Sequence, residues 1–286
     1  MASTRLIKRR IKSAKNISQI TKAMEMVAAS KMKKAQNAAV SGKPYAEKIY
    51  QTVFELAKRL DISKHPLLKK NLASQKTLVI TISTNKGLCG GLNTNLFRFI
   101  NKIYPDKKNT DFIAVGKKSE NFIIRSERNL IASFGQKGLF TELVAPITEM
   151  AVNEFLKGNY KDVYLVYNDF INAIRQEPSK KKILPLGIQA DQHPEDDNNL
   201  FSEFIIEPND AEVLNALLPH YLENQLRSAI LEGEASEHSA RMMAMKNATD
   251  SALELMGDLT LEYNKARQEK ITSEIADLVT AGMAVR

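Results

Sequence analysis

The composition of one glycine-rich stretch comes closer to a chemical motif than any other part of this sequence. Gly87-Leu88-Cys89-Gly90-Gly91 follows a short β-branched run and precedes a helical segment, and phosphate-binding loops occupy such positions. It matches neither the dinucleotide pattern G-x-G-x-x-G nor the phosphate-loop pattern G-x-x-x-x-G-K-[ST], and Lys86 precedes the glycines instead of following them. A tight structural turn is therefore the preferred interpretation, and nucleotide binding is the alternative.

The remaining reactive residue types give no second candidate for chemistry. Cys89 is the single cysteine, so no internal disulfide can form, and without a neighbouring histidine in sequence it is interpreted as a small core residue. The charge runs 180–182 and 195–197 are interpreted as solvated loops. We therefore predict no catalytic residue, no cofactor and no metal. The four histidines, which lack metal-ligand spacing, are His65, His193, His220 and His238.

The C-terminal stretch, 208–286, predicts one very long helix. Asn209 with Glu212 three residues later is a helix start, and no proline follows Pro219. A helix over 221–281 would run about 100 Å at 1.5 Å per residue, so it must be a rod. Its tip, 275–285, is mostly apolar and has one charged residue, Asp277, which predicts that the tip is surrounded by other protein. Small residues at three- and four-residue steps predict a seam for a second helix: Gly233, Ser236, Ala240, Ala244, Ala248 and Ser251.

The N-terminal stretch, 1–60, predicts a second long helix from Thr4 to Leu60. Ser41-Gly42-Lys43-Pro44 is expected to kink or break it. Residues at three- and four-residue steps predict its contact face. These residues are Ile7, Ile11, Ala14, Ile17, Ile20, Met24, Val27, Lys31, Ala35 and Ala38.

Strands alternate with helices between the two long helices, which predicts parallel pairing and a Rossmann-like α/β domain of three layers over 70–207. Edge strands are possible at 183–186 and 204–206. The fold class is therefore α/β plus long helices, with the domain inserted into an antiparallel coiled coil. The predicted strands are 78–82, 112–115, 130–134 and 163–167, and the predicted helices are 92–103, 118–124 and 146–156.

The insertion fixes the register of the two long helices. If they are antiparallel and flush where they meet the domain, residue i faces a residue close to 269 − i. Met24 then lies near Met245 and Ile7 near Glu262, and everything after about residue 265 overhangs as a lone helix. Such a helix is marginal in water, so it requires an external sleeve. Residues 1–60 carry a net charge of +11 and residues 207–286 a net charge of −7, which favours pairing of the two ends.

Three classes of function are compatible with this organisation: a mechanical or scaffold subunit, a nucleic-acid-binding protein with a basic helix, and an enzyme that uses the α/β domain. The nucleic-acid interpretation is weakened because the basic helix has an acidic partner within the same chain. An enzyme lacks a site. No run of 18 apolar residues predicts a membrane span, and the basic N-terminus is interpreted as mature protein. The mechanical interpretation alone uses the apolar tip.

Four motifs, in order along the whole chain, resemble the gamma subunit of F-type ATP synthase, bacterial type. Ile20-Thr-Lys-Ala-Met-Glu-Met-Val-Ala-Ala-Ser-Lys-Met32 is similar to the N-terminal signature of that family, and Gly87-Leu-Cys-Gly-Gly-Leu-Asn93 to its central glycine loop. Ala240-Arg-Met-Met-Ala-Met-Lys-Asn-Ala-Thr249 and Tyr263-Asn-Lys-Ala-Arg-Gln-Glu-Lys-Ile-Thr272 resemble its C-terminal signatures.

The resemblance implies a non-catalytic central shaft that couples rotation of a membrane ring of c subunits to conformational change in a ring of alpha and beta subunits. It implies proton translocation, catalysis on the beta subunits, contact with the epsilon subunit, and a peripheral position on the cytoplasmic face of the cell inner membrane. No cofactor and no nucleic acid are implied. By the same resemblance, Met24 faces the beta subunits, and Arg267, Gln268 and Thr272 form a contact cluster with the stator.

Overall fold

The fold was analysed in a computed structural model, which describes residues 4–59, 65–69, 71, 74–135, 140–186 and 207–284. Helix α1 (Thr4–Arg59) comes first and α5 (Asp210–Ala284) last. Between them lie five strands and three helices, with a short 3₁₀ turn at Phe140–Leu143. In chain order they are β1 (Thr77–Ile82), α2 (Leu92–Ile103), β2 (Thr110–Val115), α3 (Lys117–Arg125), β3 (Asn129–Phe134), α4 (Val144–Leu156), β4 (Asp162–Phe170) and β5 (Gln176–Leu184).

The chain divides into two compact units. The first unit contains residues 1–30 and 241–286, and the second contains residues 31–240. The predicted boundaries at 60 and 208 correspond to the ends of the long helices, whereas the units divide within those helices. The second unit therefore includes the C-terminal half of α1 and the N-terminal part of α5.

A five-stranded sheet organises the second unit, with the strand order β3-β2-β1-β4-β5. The first four strands are parallel, as predicted, and β5 pairs antiparallel with β4 at one edge. Strand β1 (TLVITI) is buried almost throughout, because helices cover both faces of a parallel sheet. Of the possible edge strand at 183–186, Ile183 and Leu184 form the end of β5 and residues 185–186 lie beyond the strand, and the one at 204–206 lies outside the described residues.

Helices cover the sheet on both sides, which gives the three predicted layers. One face packs Leu78, Ile80 and Leu165 against α1, α4 and α5. The opposite face packs Val79, Phe112 and the rest of a second cluster against α2 and α3. The helix residues in the first cluster include Ile49, Val53, Leu56, Ile147, Phe155, Leu214, Leu218, Leu222, Leu226 and Ile230.

Helix α5 begins with the predicted cap. The Glu212 backbone N–H donates to Asn209 Oδ1 at 2.9 Å, and Asn209 Nδ2 donates to Glu212 Oε1 at 2.9 Å. The first of these bonds satisfies one backbone amide that a helix N-terminus otherwise leaves open, and the second joins the two side chains. The predicted helix start is therefore confirmed.

The structure differs from two expectations about local structure. Helix α1 continues through Ser41–Pro44 without the expected break, and Ala35 and Ile49 are buried on either side of this stretch. Residues 180–182 are part of β5 and not a loop. Lys180 Nζ lies 3.9 Å from the centre of the Tyr164 ring, an attraction that anchors the side chain along the strand. The second predicted loop, 195–197, lies outside the described residues.

The first unit is a pair of helices with one buried seam. Its buried and half-buried positions recur at alternating steps of four and three, which is the spacing of a left-handed coiled coil. Thr21 Oγ1 lies 2.7 Å from Thr249 Oγ1, so the helices are antiparallel and the register is one residue from the predicted one. The seam positions are Ile7, Ile11, Ala14, Ser18, Thr21, Glu25 and Ala28 on α1, and Met245, Thr249, Ala252, Met256, Leu259, Tyr263 and Ala266 on α5.

Candidate functional site

The sheet has the crevice at which doubly wound folds bind nucleotides. From β1 the chain moves to β2 and β3 on one side and then returns to β4 on the other. Ligands of such folds bind outside the carboxyl ends of the strands at this point. The crevice is therefore the place where the glycine-rich loop after β1 could act on a phosphate.

Helix α5 fills this crevice. Ser236 Oγ donates to the Asn168 carbonyl of β4 at 3.0 Å, and a Cβ on Gly233 would lie 3.3 Å from Ile82 Cγ2 of β1. The space left between them is about 10 Å³, which is room for about one water molecule. Gly233 and Ser236 therefore pack on the sheet, and the prediction that they line a seam for a second helix is wrong. A side chain at this position would crowd Ile82, because α5 approaches β1 closely.

The polar groups of the glycine-rich loop form hydrogen bonds with one another and with Asn93 at the start of α2. Asn93 Nδ2 donates to Thr84 Oγ1 at 2.8 Å and contacts Cys89 Sγ at 3.3 Å, while Thr84 Oγ1 donates to the Lys86 carbonyl at 2.7 Å. Leu88 and Gly90 have positive φ values of 61° and 57°, which is typical of tight turns. The interpretation as a structural turn with a buried Cys89 is confirmed.

The N-terminus of α3, a second possible anion site beside this crevice, is also occupied by the chain. The Lys117 N–H donates to Asn85 Oδ1 at 3.0 Å, and the Ser119 N–H donates to Ser83 Oγ at 2.7 Å. Side chains of the loop after β1 thus satisfy the open amides of the helix. Within the described part of the chain, no group of three or more His, Cys, Asp or Glu residues is placed so that it could hold a metal ion.

Two glutamates of α5, near its contact with the sheet, have raised pKa values. Burial, and then the nearby Asp169, raises the pKa of Glu232 above its usual range. Burial, and then the neighbouring Glu237, raises the pKa of Glu234, and Lys31 partly offsets this rise. Both shifts are explained by packing in the unit and require no reaction.

Met24 lies on an exposed apolar stripe of the first unit. The sequence predicted that Ile17, Ile20, Met24 and Val27 would face the second helix, and the structure instead leaves them exposed, Ile20 at 60% and Met24 at 37%. The prediction is wrong by one position between Ile17 and Val27, because the seam there is formed by Ser18, Thr21, Glu25 and Ala28, whereas the predicted Ala35 is buried. An apolar stripe beside a polar seam is a surface that another protein can cover.

The C-terminal part of α5 extends beyond its partner helix. The observed register places Thr4, where α1 begins, opposite about residue 266, and every described side chain of α5 from Arg267 to Ala281 is exposed. The predicted overhang after about residue 265 is therefore confirmed. Within the overhang, Thr272 Oγ1 donates to the Gln268 carbonyl at 3.0 Å, so its proton is used inside the helix.

Comparison with known proteins decides the family. The sequence profile of the family described as ATP synthase matches residues 3–285. The ATP synthase gamma chain of Opitutus terrae is 42% identical over 99% of each chain, and that of Dehalococcoides mccartyi is 42% identical over 100% of each. The chain belongs to the ATP synthase gamma-chain family. The resemblance drawn from the four motifs is confirmed.

Solved structures support the gamma-chain fold. One chain from a mitochondrial ATP synthase assembly of Euglena gracilis, titled OSCP/F1/c-ring, matches with a TM-score of 0.69, covering 99% of this chain and 94% of that one at 20% identity. One from a central stalk/c-ring structure of Tetrahymena thermophila matches with a TM-score of 0.60, covering 80% and 99% at 24% identity. Both likenesses concern the fold: long terminal helices with a central α/β sheet.

The structure does not gather the four predicted contact residues of this gamma-family chain into one site. The register places Met24 opposite about residue 246, which is about 30 Å along α5 from Arg267 at 1.5 Å per residue. Arg267, Gln268 and Thr272 lie within two turns of one another, and all three are exposed. The predicted contact residues therefore lie on two separate surfaces of the first unit.

One surface was missed at the level of sequence, namely the apolar stripe 17–27 as an outward face. The buried and half-buried positions of α1 recur at a strict average spacing of 3.5 residues from Thr4 to Leu56. Applying this coiled-coil period to the sequence is the signal that could have placed the stripe on the outside. Following hydrophobicity instead leads away from the seam. No helix in the described part of the chain is both long and apolar enough to span a bilayer.

Proposed function

We propose that the chain is the non-catalytic central-shaft subunit of a proton-translocating F-type ATP synthase. It couples rotation of the membrane c ring to conformational change in the alpha and beta subunits, which carry the catalytic residues. Its partners are that ring, the epsilon subunit and the c ring, and it is peripheral on the cytoplasmic face of the cell inner membrane. Membership of the gamma-chain family supports this assignment.

The observation that carries the proposal is the exposed overhang of α5. A single helix of about twenty residues is marginal in water by itself, and here it exposes Ile275, Leu278, Val279 and Met283. A surface of this kind needs a surrounding protein. Within the tip, from Ile275 onward, Asp277 is the one charged residue and most side chains are aliphatic. Because such side chains offer few directional hydrogen bonds, the tip can turn inside an apolar sleeve without preferring one angle.

The cluster below the tip, Arg267, Gln268 and Thr272, should favour particular angles of the shaft, because its polar groups form directional hydrogen bonds. Arg267 presents only donors, which suit a carboxylate of the stator. The Thr272 hydroxyl donates its hydrogen bond to the Gln268 carbonyl, so its oxygen is available to accept a hydrogen bond from the stator. A charged hydrogen bond contributes about 1.5–3 kcal/mol. Contact strength at this cluster therefore depends on the angle of the shaft, which coupling requires. Met24 makes the apolar contact with the beta subunits.

The test is a double variant in the assembled complex. Arg267→Ala with Gln268→Ala should lower ATP synthesis and coupled hydrolysis at least tenfold. Lys270→Ala with Glu274→Ala removes an exposed ion pair of 3.4 Å one turn further along the same helix and is the matched control. Deleting Met283 to Arg286 should cost much less than the first variant.

Assembly is checked by gel filtration for each variant. If the deletion abolishes turnover while the double alanine variant is normal, the two roles are reversed and the proposal for these residues fails. If the unmodified chain does not co-purify with a ring that hydrolyses ATP, the assignment as central shaft fails altogether. A nucleic-acid-binding function, the alternative left by the basic N-terminus, has no described feature in its favour.

A further inference from the structure

Helix α5 is held differently in its last turns within the second unit, which ends at Ala240. The large aliphatic side chains that fix α5 in the core end with Ile230. In residues 231–240 the most deeply buried side chains are instead those of Ser236 and Ser239, each 0% exposed. A hydroxyl at such depth requires a hydrogen-bond partner. These turns therefore depend on specific polar contacts more than on buried apolar area.

Ser239 is bonded to the loop between β4 and β5. Its hydroxyl donates to the Ala173 carbonyl at 2.6 Å, and Gln176 Nε2 donates to Ser239 Oγ at 3.3 Å. The hydroxyl thus donates one hydrogen bond and accepts another, which its chemistry allows at the same time. We call Ser239, Ala173 and Gln176 the clasp. It joins α5 to this loop one residue before the second unit ends.

The loop that receives Ser239 is held by hydrogen bonds of its own. Asn172 Oδ1 accepts from the Ile174 backbone amide at 2.9 Å. Gln176 Nε2 also lies 3.1 Å from the Asn172 carbonyl and 3.3 Å from the Ala173 carbonyl. Packing contributes little at the apex of the loop, where Ile174 is 80% exposed. The position of the Ala173 carbonyl is therefore defined by directional bonds, which makes it a firm anchor for α5.

We propose that Ser239 is a positioning residue for rotary coupling, because the clasp fixes the last turn of α5 in the second unit to the β4–β5 loop. The inference rests on the proposed function, since only a shaft carries a load that could displace this turn. A hydrogen bond depends strongly on distance and angle, so it defines the position more sharply than non-directional apolar packing does. Without the clasp this turn yields under load, and ATP hydrolysis then continues without full proton pumping.

Proton pumping per ATP hydrolysed, measured in inverted vesicles that carry the assembled complex, tests the proposal. Ser239→Ala removes the hydroxyl and keeps a small side chain at the buried site. We expect ATP hydrolysis to stay within twofold of the unmodified complex and pumping against an opposing proton gradient to fall at least threefold. Ser126→Ala is the matched control and should change neither, because that hydroxyl donates to the Ile123 carbonyl within α3. An unchanged ratio of pumping to hydrolysis in Ser239→Ala would overturn the inference.

A series of variants separates positioning from stability alone. Ser239→Cys keeps a weak donor of similar size, so its coupling should lie between that of serine and that of alanine. Gln176→Glu replaces the donor by an acceptor, should also lower the ratio, and takes the place of Ser239→Ala if that chain does not assemble. Equal coupling in Ser239→Cys and Ser239→Ala would contradict the role of the hydrogen bond.

Amide hydrogen exchange in the assembled complex reports the clasp directly. Exchange of residues 171–176 should become at least tenfold faster in Ser239→Ala and stay unchanged in Ser126→Ala, because the first variant alone removes a contact of this loop. Unchanged exchange in Ser239→Ala would overturn the inference. Failure of the unmodified chain to assemble into a complex that pumps protons would refute the proposed function instead.

Discussion

The two halves of α5 differ in how they are held. In the second unit, Leu214, Leu218, Leu222 and Leu226 recur every four residues, and none is more than 3% exposed. They pack in one core with the sheet. In the first unit the same helix contacts its partner through smaller or polar seam residues such as Thr249 and Ala252, and beyond Ala266 every described side chain is at least largely exposed.

This difference shows that one continuous helix can serve two purposes. Large aliphatic side chains bury the most apolar area and fix the first part of α5 to a domain. Small seam residues bury less, so the second part keeps much of its apolar surface, such as Leu253 and Leu261, on the outside. The first unit therefore leaves apolar surface for other proteins to cover, whereas the second buries its large side chains in a core of its own.

The largest effect is expected from a substitution in the buried half of α5. Leu218→Ala leaves a cavity at a fully buried side chain and should lower the free energy of unfolding by about 2–5 kcal/mol. Leu261→Ala, on the same helix but 71% exposed, should change it by less than about 0.5 kcal/mol. Urea unfolding followed by helical circular dichroism measures both. Equal effects would mean that the two halves are held alike.

The sequence predicted much of this comparison and reversed one part of it. Helix α2 has its predicted ends at Leu92 and Ile103, because Gly91 precedes it and Pro105 follows it closely. The register of the long helices is within one residue of the predicted one, because chain connectivity constrains it. The contact face of α1 was predicted one position away, since Ile17 and Ile20 are more apolar than the seam residues Ser18 and Thr21. Hydrophobicity marks the face that will be buried in the end, and here another protein is expected to bury it.

The occupied crevice could not be predicted for a similar reason. Gly233 and Ser236 fit equally a seam between helices and a close approach to a sheet, since both require small residues. Only the tertiary arrangement places Gly233 against Ile82 of β1. Of the predicted contact residues, the exposure of Arg267, Gln268 and Thr272 followed from the overhang, whereas their roles came from the family resemblance and stay predictions.

A disulfide across the seam would sharpen the comparison from the other side. In a Cys89→Ser background, Thr21→Cys with Thr249→Cys should oxidise readily, because the native hydroxyl oxygens are 2.7 Å apart. The crosslink should stabilise the first unit by about 2–4 kcal/mol. Non-reducing gels report the yield, and unfolding with and without reductant reports the stability. Ile20→Cys with Thr249→Cys is the control, since Ile20 points outward, and efficient oxidation of that pair would contradict the observed register.

A smaller effect is expected from the polar contact itself. Thr21→Val keeps the shape of the side chain and removes the hydrogen bond to Thr249, which should cost about 0.5–1.5 kcal/mol. Thr260→Val, at an exposed position bonded to the Met256 carbonyl of its own helix, is the control and should cost less. A double-mutant cycle with Thr249→Val isolates the cross-helix contribution. A coupling energy of zero would mean that the seam is held by packing alone.

The smallest effect concerns acidity in the buried half. Because the pKa of Glu234 is raised in the folded chain, the unfolded chain loses this proton first as pH increases. Stability therefore falls with increasing pH from the ordinary glutamate value up to the raised folded value. Glu234→Gln should raise the melting temperature at neutral pH, and the gain should shrink towards pH 4. Glu254→Gln, on an exposed residue of the other half, is the control. A gain that is independent of pH would contradict this cause.

The hydrogen bond from Ser236 to β4 has a mechanical consequence. Aliphatic packing holds α5 against the domain, and a hydrogen bond adds a contact that depends more strongly on the rotation of the helix about its own axis. The Ser236 hydroxyl donates to the Asn168 carbonyl at 3.0 Å, and Gly233 lies against Ile82, so two strands contact α5 on one side within a single turn. Twisting the helix would stretch that hydrogen bond and drive a neighbouring side chain into Ile82. The contact of α5 with β1 and β4 therefore resists rotation of the helix about its axis, so torque applied to α5 is transmitted to the sheet.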